Sequence, residues 1–219
     1  MKKLQEWSKW YSFSDVYEFY GIIEQNGTWR AKHVKWNNER GPAHTDNGFR
    51  LRSYAGGSFK DYLLSESLDE KPCPLTKGDI GVYWIKVQFQ GKTWDYIGKC
   101  GELKWGIPKR LMDHFSKIAG FEQVRKQLRN TANFEELRSY LAGKRVDPSH
   151  PGNHFFDKHV QMAFVFTSSK EKTFLERIAK IEGMALQTFK FKNGSFPKLN
   201  STDETAGMAG YDSLFSASP

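Results

Sequence analysis

The sequence predicts an α+β chain: a small three-stranded antiparallel sheet flanked by helices, with an N-terminal extension and a helical insertion. Three observations predict it. The stretch Gly81-Val82-Tyr83-Trp84-Ile85-Lys86-Val87 has the β-branched and aromatic content of a strand, and Thr93 to Gly98 returns beside it across a Gln90-Gly91 turn. Leu111, Phe115 and Ile118 then recur at i, i+4, i+7, the spacing of a helix with one buried side. Finally, the apolar run Met162 to Thr167 supplies a third strand, followed by a long amphipathic stretch reaching about Phe189.

Taken in order, residues 1–77 form an aromatic, mixed N-terminal extension. Ile22 to Trp36 reads as a hairpin turning at Asn26-Gly27, a pair that tolerates the positive φ such turns require. A polar loop (Asn37 to Gly48), a short strand near Phe49 to Tyr54 and a short helix near Ser58 to Leu64 follow. In residues 78–200 the hairpin comes first, and a helix starts near Pro108, a residue pre-set for a first helical turn. Residues 119–158 form a charged, partly helical insertion before the third strand. Ser168 with Glu171 three residues on has the pattern of a capping box for the last helix. Residues 201–219 are Ser-, Gly- and Ala-rich and read as a disordered acidic tail.

Charge narrows the function classes. The net charge is +8, but the tail holds Asp203, Glu204 and Asp212 and no Lys or Arg, so the rest carries 33 basic against 22 acidic residues, a net +11. That excess points to a polyanion, because basic residues that neutralise phosphates release condensed counterions. Two cysteines, Cys73 and Cys100, are too few for a disulfide scaffold and suit a reducing compartment. The start MKKLQEW has no apolar stretch behind its lysines, and the longest purely apolar run, Met162 to Phe166, is far shorter than a membrane span. The expectation is a cytoplasmic chain without signal peptide or membrane partner.

Chemistry-bearing residues cluster in 78–200. If Gln90-Gly91 is a two-residue loop, Tyr83 faces Gly98 and Ile85 faces Tyr96, so both tyrosines project from one sheet face and Gly98 leaves space beside Tyr83. Lys99 then lies on the opposite face. Arg110 and His114, four apart, share one helix face at the edge of the core. Arg offers a planar fork for phosphate oxygens, and His holds or passes a proton near neutral pH. Glu182 falls inside the apolar stripe Phe174, Leu175, Ile178, Ala179, Ile181, Ala185, Leu186, Phe189, where an ionised carboxylate needs compensation. A hard divalent cation and a buried Arg or Lys partner are the two alternatives. Glu176, by contrast, sits one turn from Lys180 on a solvated face. Elsewhere, His150, His154, Asp157 and His159 are irregularly spaced, and no cysteine pair supports zinc. The basic residues Arg125, Lys126, Arg129, Arg138, Lys144 and Arg145 are read as phosphate-backbone contacts.

Gly81-Val82-Tyr83 followed by Tyr96-Ile97-Gly98 resembles the paired signature of the GIY-YIG nuclease family. The resemblance covers about Gly78 to Asn200: hairpin, helix with Arg110 and His114, third strand, then helix with Glu182 and a later Asn200, for which Asn193 is the rival. Val82 stands where the family has Ile, and the insertion is long. The resemblance implies a DNA endonuclease using one bound Mg²⁺ or Mn²⁺ held by Glu182. It gives Tyr83 the attacking water, to be positioned or deprotonated, with a phenolate favoured by nearby cations. Arg110 would stabilise charge on the phosphoryl oxygens, Tyr96 and His114 would orient or assist, and Lys99 would serve as a further nearby cation. With specificity elements in an N-terminal extension and an insertion, a sequence-specific, restriction-type enzyme on double-stranded DNA is expected, acting as a homodimer or by sequential nicking. A structure-selective or mobile-element nuclease and a catalytically idle nucleic-acid-binding domain are the alternatives.

Overall fold

The computed structural model describes residues 6–19, 22–25, 28–31, 49–52, 73–120, 132–170 and 172–200. Among these it is a mixed α+β structure built on a four-stranded antiparallel sheet. Strands β1 (Tyr11–Ser12), β8 (Val160–Thr167), β6 (Ile80–Phe89) and β7 (Lys92–Cys100) lie in that order. The last three are the expected strands. The fourth comes from the N-terminal extension, where Ser8 exchanges hydrogen bonds with both backbone polar groups of Phe164 (2.8 and 2.9 Å) and Tyr11 pairs with Met162. A two-residue strand carries no periodicity, so nothing in the local sequence marks it.

The turn between β6 and β7 is the two-residue loop, with positive φ at both Gln90 (47°) and Gly91 (75°). Phe89 therefore pairs with Lys92, Ile85 with Tyr96 and Tyr83 with Gly98, the register expected from the sequence. Gly81 has φ 144°, and a Cβ there would lie 2.0 Å from the Val165 carbonyl oxygen. That close approach to the neighbouring strand is the local reason for a glycine at the head of β6.

Helix α2 (Gly106–Ile118) covers one sheet face. Its Leu111, Phe115 and Ile118 are fully buried with Tyr83, Ile85, Trp94, Met162 and Phe164. Helix α5 (Phe174–Asn193) covers the other, where Ile178 and Leu186 pack with Ile80, Val82, Ile97 and Val165. Two expectations for α5 are corrected. The helix begins at Phe174 with Thr173 as N-cap and no side-chain cap; the Ser168 hydroxyl instead accepts from the Lys170 amide (3.3 Å), and Glu171 lies outside the described residues. Leu175, assigned to the buried stripe, is 58% exposed, while its neighbour Phe174 packs against the core of that face.

The N-terminal extension shares the core of the α2 face. Phe13 and Val16 of α1 (Phe13–Val16), Tyr17 of β2 (Tyr17–Phe19), and Phe49 and Leu51 of β5 (Phe49–Leu51) are buried beside Phe115 and Phe156. The boundary at 77 is thus a cut in sequence and not in packing. Tyr17 also donates its hydroxyl proton to the Pro108 carbonyl (2.9 Å), fixing the first turn of α2. The expected hairpin is present as β3 (Ile22–Gln25) and β4 (Thr28–Ala31), with Gln25 paired to Thr28; Asn26 and Gly27 lie outside the described residues. So do the loop 37–48, the helix expected near 58–64 and the tail 201–219. The insertion contributes α3 (Ala132–Gly143), and α4 (Phe155–His159) leads directly into β8. No helix among the described residues is long and apolar enough to cross a membrane. Cys73 and Cys100 are free thiols.

Candidate active site

Strands β6 and β7 and helix α2 meet in a buried aromatic cluster. Because Gly98 lacks a side chain, the Tyr83 ring crosses over it. A Cβ at Gly98 would stand 2.7 Å from the Tyr83 hydroxyl and 2.6 Å from the Tyr96 ring. The space foreseen beside Tyr83 is therefore filled by Tyr83 itself. Its hydroxyl lies 2.9 Å from Nε2 of His114, and the Tyr96 ring packs on the imidazole at 4.4 Å between centroids. Phe134 of α3 joins the cluster, 5.5 Å from His114 and 5.9 Å from Tyr96. The sequence reading missed Phe134, although Phe134, Leu137 and Leu141 form an i, i+3, i+7 stripe that marks a buried helix side.

Burial dominates the electrostatics of this cluster. Tyr83 is wholly buried and His114 is 5% exposed. Loss of solvent pushes the Tyr83 phenol well above its ordinary value; Tyr96, Cys100 and Glu182 push the same way, and only Arg110 opposes them. The phenolate anticipated from nearby cations is thus corrected: desolvation outweighs the one guanidinium, and Tyr83 is a neutral phenol. His114 is driven well below its ordinary value by burial, then by Lys117 and Arg110, so its imidazole is neutral. Its Nδ1 has no hydrogen-bond partner among the described residues. A neutral imidazole with Nε2 on a phenol hydroxyl can take that proton and return it.

Arg110 stands one turn before His114 on α2, exposed at the rim of the cluster, and feels Tyr83, Tyr96, Asp113 and Cys100. After burial, which lowers its proton affinity, these neighbours dominate and raise it, so the guanidinium stays charged. The helix start that sets its position is held by the Glu102 carboxylate, which accepts from the amides of Lys104 (2.8 Å), Trp105 (3.1 Å) and Gly106 (3.3 Å). The Ile107 amide also donates to the Asp79 carbonyl (2.7 Å) at the mouth of β6.

Glu182 comes from the other side of the sheet. Its side chain is 13% exposed, and Oε2 accepts from the Lys99 ammonium at 2.5 Å. A lysine partner, one of the two alternatives for compensating this carboxylate, is in place. Lys99 faces α5, opposite the tyrosines, as the register required. Glu182 is also among the groups raising the Tyr83 phenol, which puts its charge within electrostatic reach of the cluster. Glu176 and Lys180 are both exposed.

Asn200 has a structural place in this arrangement. Its side chain accepts from the Ile97 amide (2.9 Å) and donates to the Ile97 carbonyl (2.7 Å), while the Leu199 amide donates to the Asp95 carbonyl (3.0 Å). The chain after α5 so completes the outer edge of β7 and pins the middle residue of the second signature. Asn193 instead bonds the Phe189 carbonyl within its own helix (2.8 Å). Away from the cluster, Lys144 and Arg145 are exposed after α3, and Arg125, Lys126 and Arg129 lie outside the described residues. His159 bonds the Gln88 carbonyl (2.8 Å) and His154 lies 3.5 Å from Asp157. Among the described residues no three His, Cys, Asp or Glu side chains gather as a metal cluster.

No family model matches the chain, and neither the curated proteins nor the solved structures contain one that matches it.

Proposed function

We propose that this chain is a divalent-metal-dependent endonuclease of the GIY-YIG type that hydrolyses DNA phosphodiester bonds, most simply as a sequence-specific, restriction-type enzyme. The observation that carries the reading is the Tyr83–His114 pair: a phenol held at 2.9 Å on a neutral, desolvated imidazole, with Tyr96 on the same face and Arg110 one turn away. Such a pair is a proton acceptor in two stages. His114 takes the phenol proton, and the Tyr83 oxygen takes one from the water that attacks phosphorus. Burial keeps both groups neutral and so makes Tyr83 a weaker acid and His114 a weaker base; the transfer therefore depends on Arg110 and the bound cation to offset the charge that it creates. Arg110, charged and exposed at the rim, is placed to meet a phosphoryl oxygen as charge grows on it.

The donor chemistry at Glu182 suits a hard cation. Mg²⁺ commonly binds through one carboxylate and keeps water and substrate phosphate oxygens in the rest of its shell, so a single Glu is a sufficient protein ligand. Mg²⁺ or Mn²⁺, when bound there, supplies Lewis-acid stabilisation of the phosphoryl and leaving oxygens. Glu182 would hold it, Asn200 keeps the signature strand in place, and Lys99 contributes positive charge beside the carboxylate. The DNA duplex would be held by the basic excess of residues 1–200, with Lys144 and Arg145 on an exposed turn and Arg125, Lys126 and Arg129 in the same insertion. Each chain offers one such site, so cutting both strands takes a homodimer on DNA or two nicking events.

A plasmid-nicking assay with and without Mg²⁺ tests the reading. Metal-dependent relaxation and linearisation are expected, and discrete fragments from a larger DNA identify a sequence-specific enzyme. A smear or cutting only at branched DNA indicates a structure-selective nuclease. DNA binding with no cleavage at any metal concentration overturns the enzymatic reading in favour of a binding domain.

A further inference from the structure

Lys99 and Glu182 differ in how firmly each is held. The Glu182 side chain is 13% exposed, on a helix packed across the sheet; the Lys99 side chain is 48% exposed, and its ammonium sits on a flexible four-carbon stem. Their contact, Nζ to Oε2 at 2.5 Å, uses an oxygen of the one carboxylate proposed to hold a divalent cation. An ammonium and a dication crowded on one carboxylate repel each other strongly, since the interaction rises as the inverse of distance and is little screened at such separations. The ammonium has solvent on its open side and can leave, whereas the carboxylate is fixed by its helix.

We propose that Lys99 is a resident counter-ion that occupies the Glu182 carboxylate and must be displaced by the divalent cation, so that the chain binds metal more weakly than its carboxylate alone would. The proposal rests on the metal reading of Glu182 given above. It explains how a mostly buried carboxylate stays compensated in a metal-free chain, because removing one partner of such a pair leaves a costly uncompensated charge.

Mn²⁺ titration of the full chain without DNA, following free aqueous Mn²⁺ by electron paramagnetic resonance, tests this directly. Lys99→Met keeps the stem and removes the charge; it should bind Mn²⁺ about fivefold more tightly than the wild type, the factor that the upper worth of a part-exposed ion pair converts to. Lys99→Arg should restore weak, wild-type-like binding, and Glu182→Gln should lose it. Thermal melting shows whether each variant is folded, and the half-exposed position of Lys99 makes both of its variants compatible with the fold. Lys99→Met binding no more tightly than the wild type, with Glu182→Gln still losing binding, overturns the role of Lys99 alone. Wild-type-like binding by Glu182→Gln removes the metal reading, and the Lys99 proposal with it.

Discussion

The two sides of the sheet handle charge in opposite ways. On the α2 side, Tyr83 and His114 lie in a cluster of aromatic rings, and desolvation keeps both neutral. On the α5 side, Lys99 and Glu182 are both charged groups, paired with each other and partly open to water. A two-residue turn and a glycine bring these environments together, since strand β7 places Tyr96 and Gly98 toward α2 and Ile97 and Lys99 toward α5. The contrast teaches that burial holds one half neutral, while ion pairing holds two opposite charges side by side in the other. In the endonuclease proposed above, the first half would supply the proton acceptor and the second the carboxylate for a cation.

The largest effect expected from breaking this division is at Glu182. Glu182→Gln should abolish cleavage and leave DNA binding within a few-fold of the wild type, because the basic phosphate contacts persist when the metal ligand is lost. Parallel cleavage and gel-shift assays check it; wild-type-like cleavage would move attention to Glu176.

On the α2 side, Gly98→Val should be inactive. Its Cβ would meet the Tyr83 hydroxyl at 2.7 Å and the Tyr96 ring at 2.6 Å, so the tyrosines must shift. Overpacking of this kind costs about 1–3 kcal/mol, and denaturant unfolding alongside the cleavage assay measures both consequences.

A smaller effect concerns pH. His114 has a lowered proton affinity when folded and its ordinary value, about 6.5, when unfolded. As pH falls through 6.5 the unfolded chain gains this proton first, so the stability His114 contributes is full above about pH 6.5 and is lost below it. The slope from one such proton is at most about 1.4 kcal/mol per pH unit. Urea unfolding at pH 7.5 and 5.5 should therefore show a larger acid loss in the wild type than in His114→Asn. The smallest effect belongs to the outer surface: neutralising Lys144 and Arg145 should lower the salt slope of DNA binding by about two without moving the cut site, as read from binding titrations over a range of salt.

Much of the sheet was legible because it rests on local rules. Gln90-Gly91 sets the loop length, loop length sets the register, and register decides that Tyr83 and Tyr96 share a face while Lys99 takes the other. The helical spacing of Arg110 and His114 was equally readable. What escaped depends on contacts distant in sequence. The partner of Glu182 lies 83 residues away on another element. Strand β1 is too short to announce itself, and the ring that packs on His114 from the far side, Phe134, comes from a segment read as a charged, partly helical insertion with no buried face assigned. The state of Tyr83 was misjudged for the same reason: neighbouring cations can be counted in a sequence, but the desolvation that outweighs them is made by the whole fold.

The central claim is that the buried Tyr83–His114 pair accepts the proton of the attacking water. Single-turnover cleavage of duplex DNA at saturating enzyme, with Mg²⁺, by the wild type, Tyr83→Phe and Tyr96→Phe, tests it most directly. Tyr83→Phe removes almost no packing but leaves the buried His114 Nε2 without its hydrogen bond, so thermal melting beside the kinetics separates lost stability from lost chemistry. The account predicts a loss on the order of a hundredfold or more for Tyr83→Phe, within the range for removing a general base, and a smaller loss for Tyr96→Phe, whose ring packs on His114. A Tyr83→Phe enzyme that cleaves at the wild-type rate, or a Tyr96→Phe enzyme that is the more damaged of the two, would contradict it.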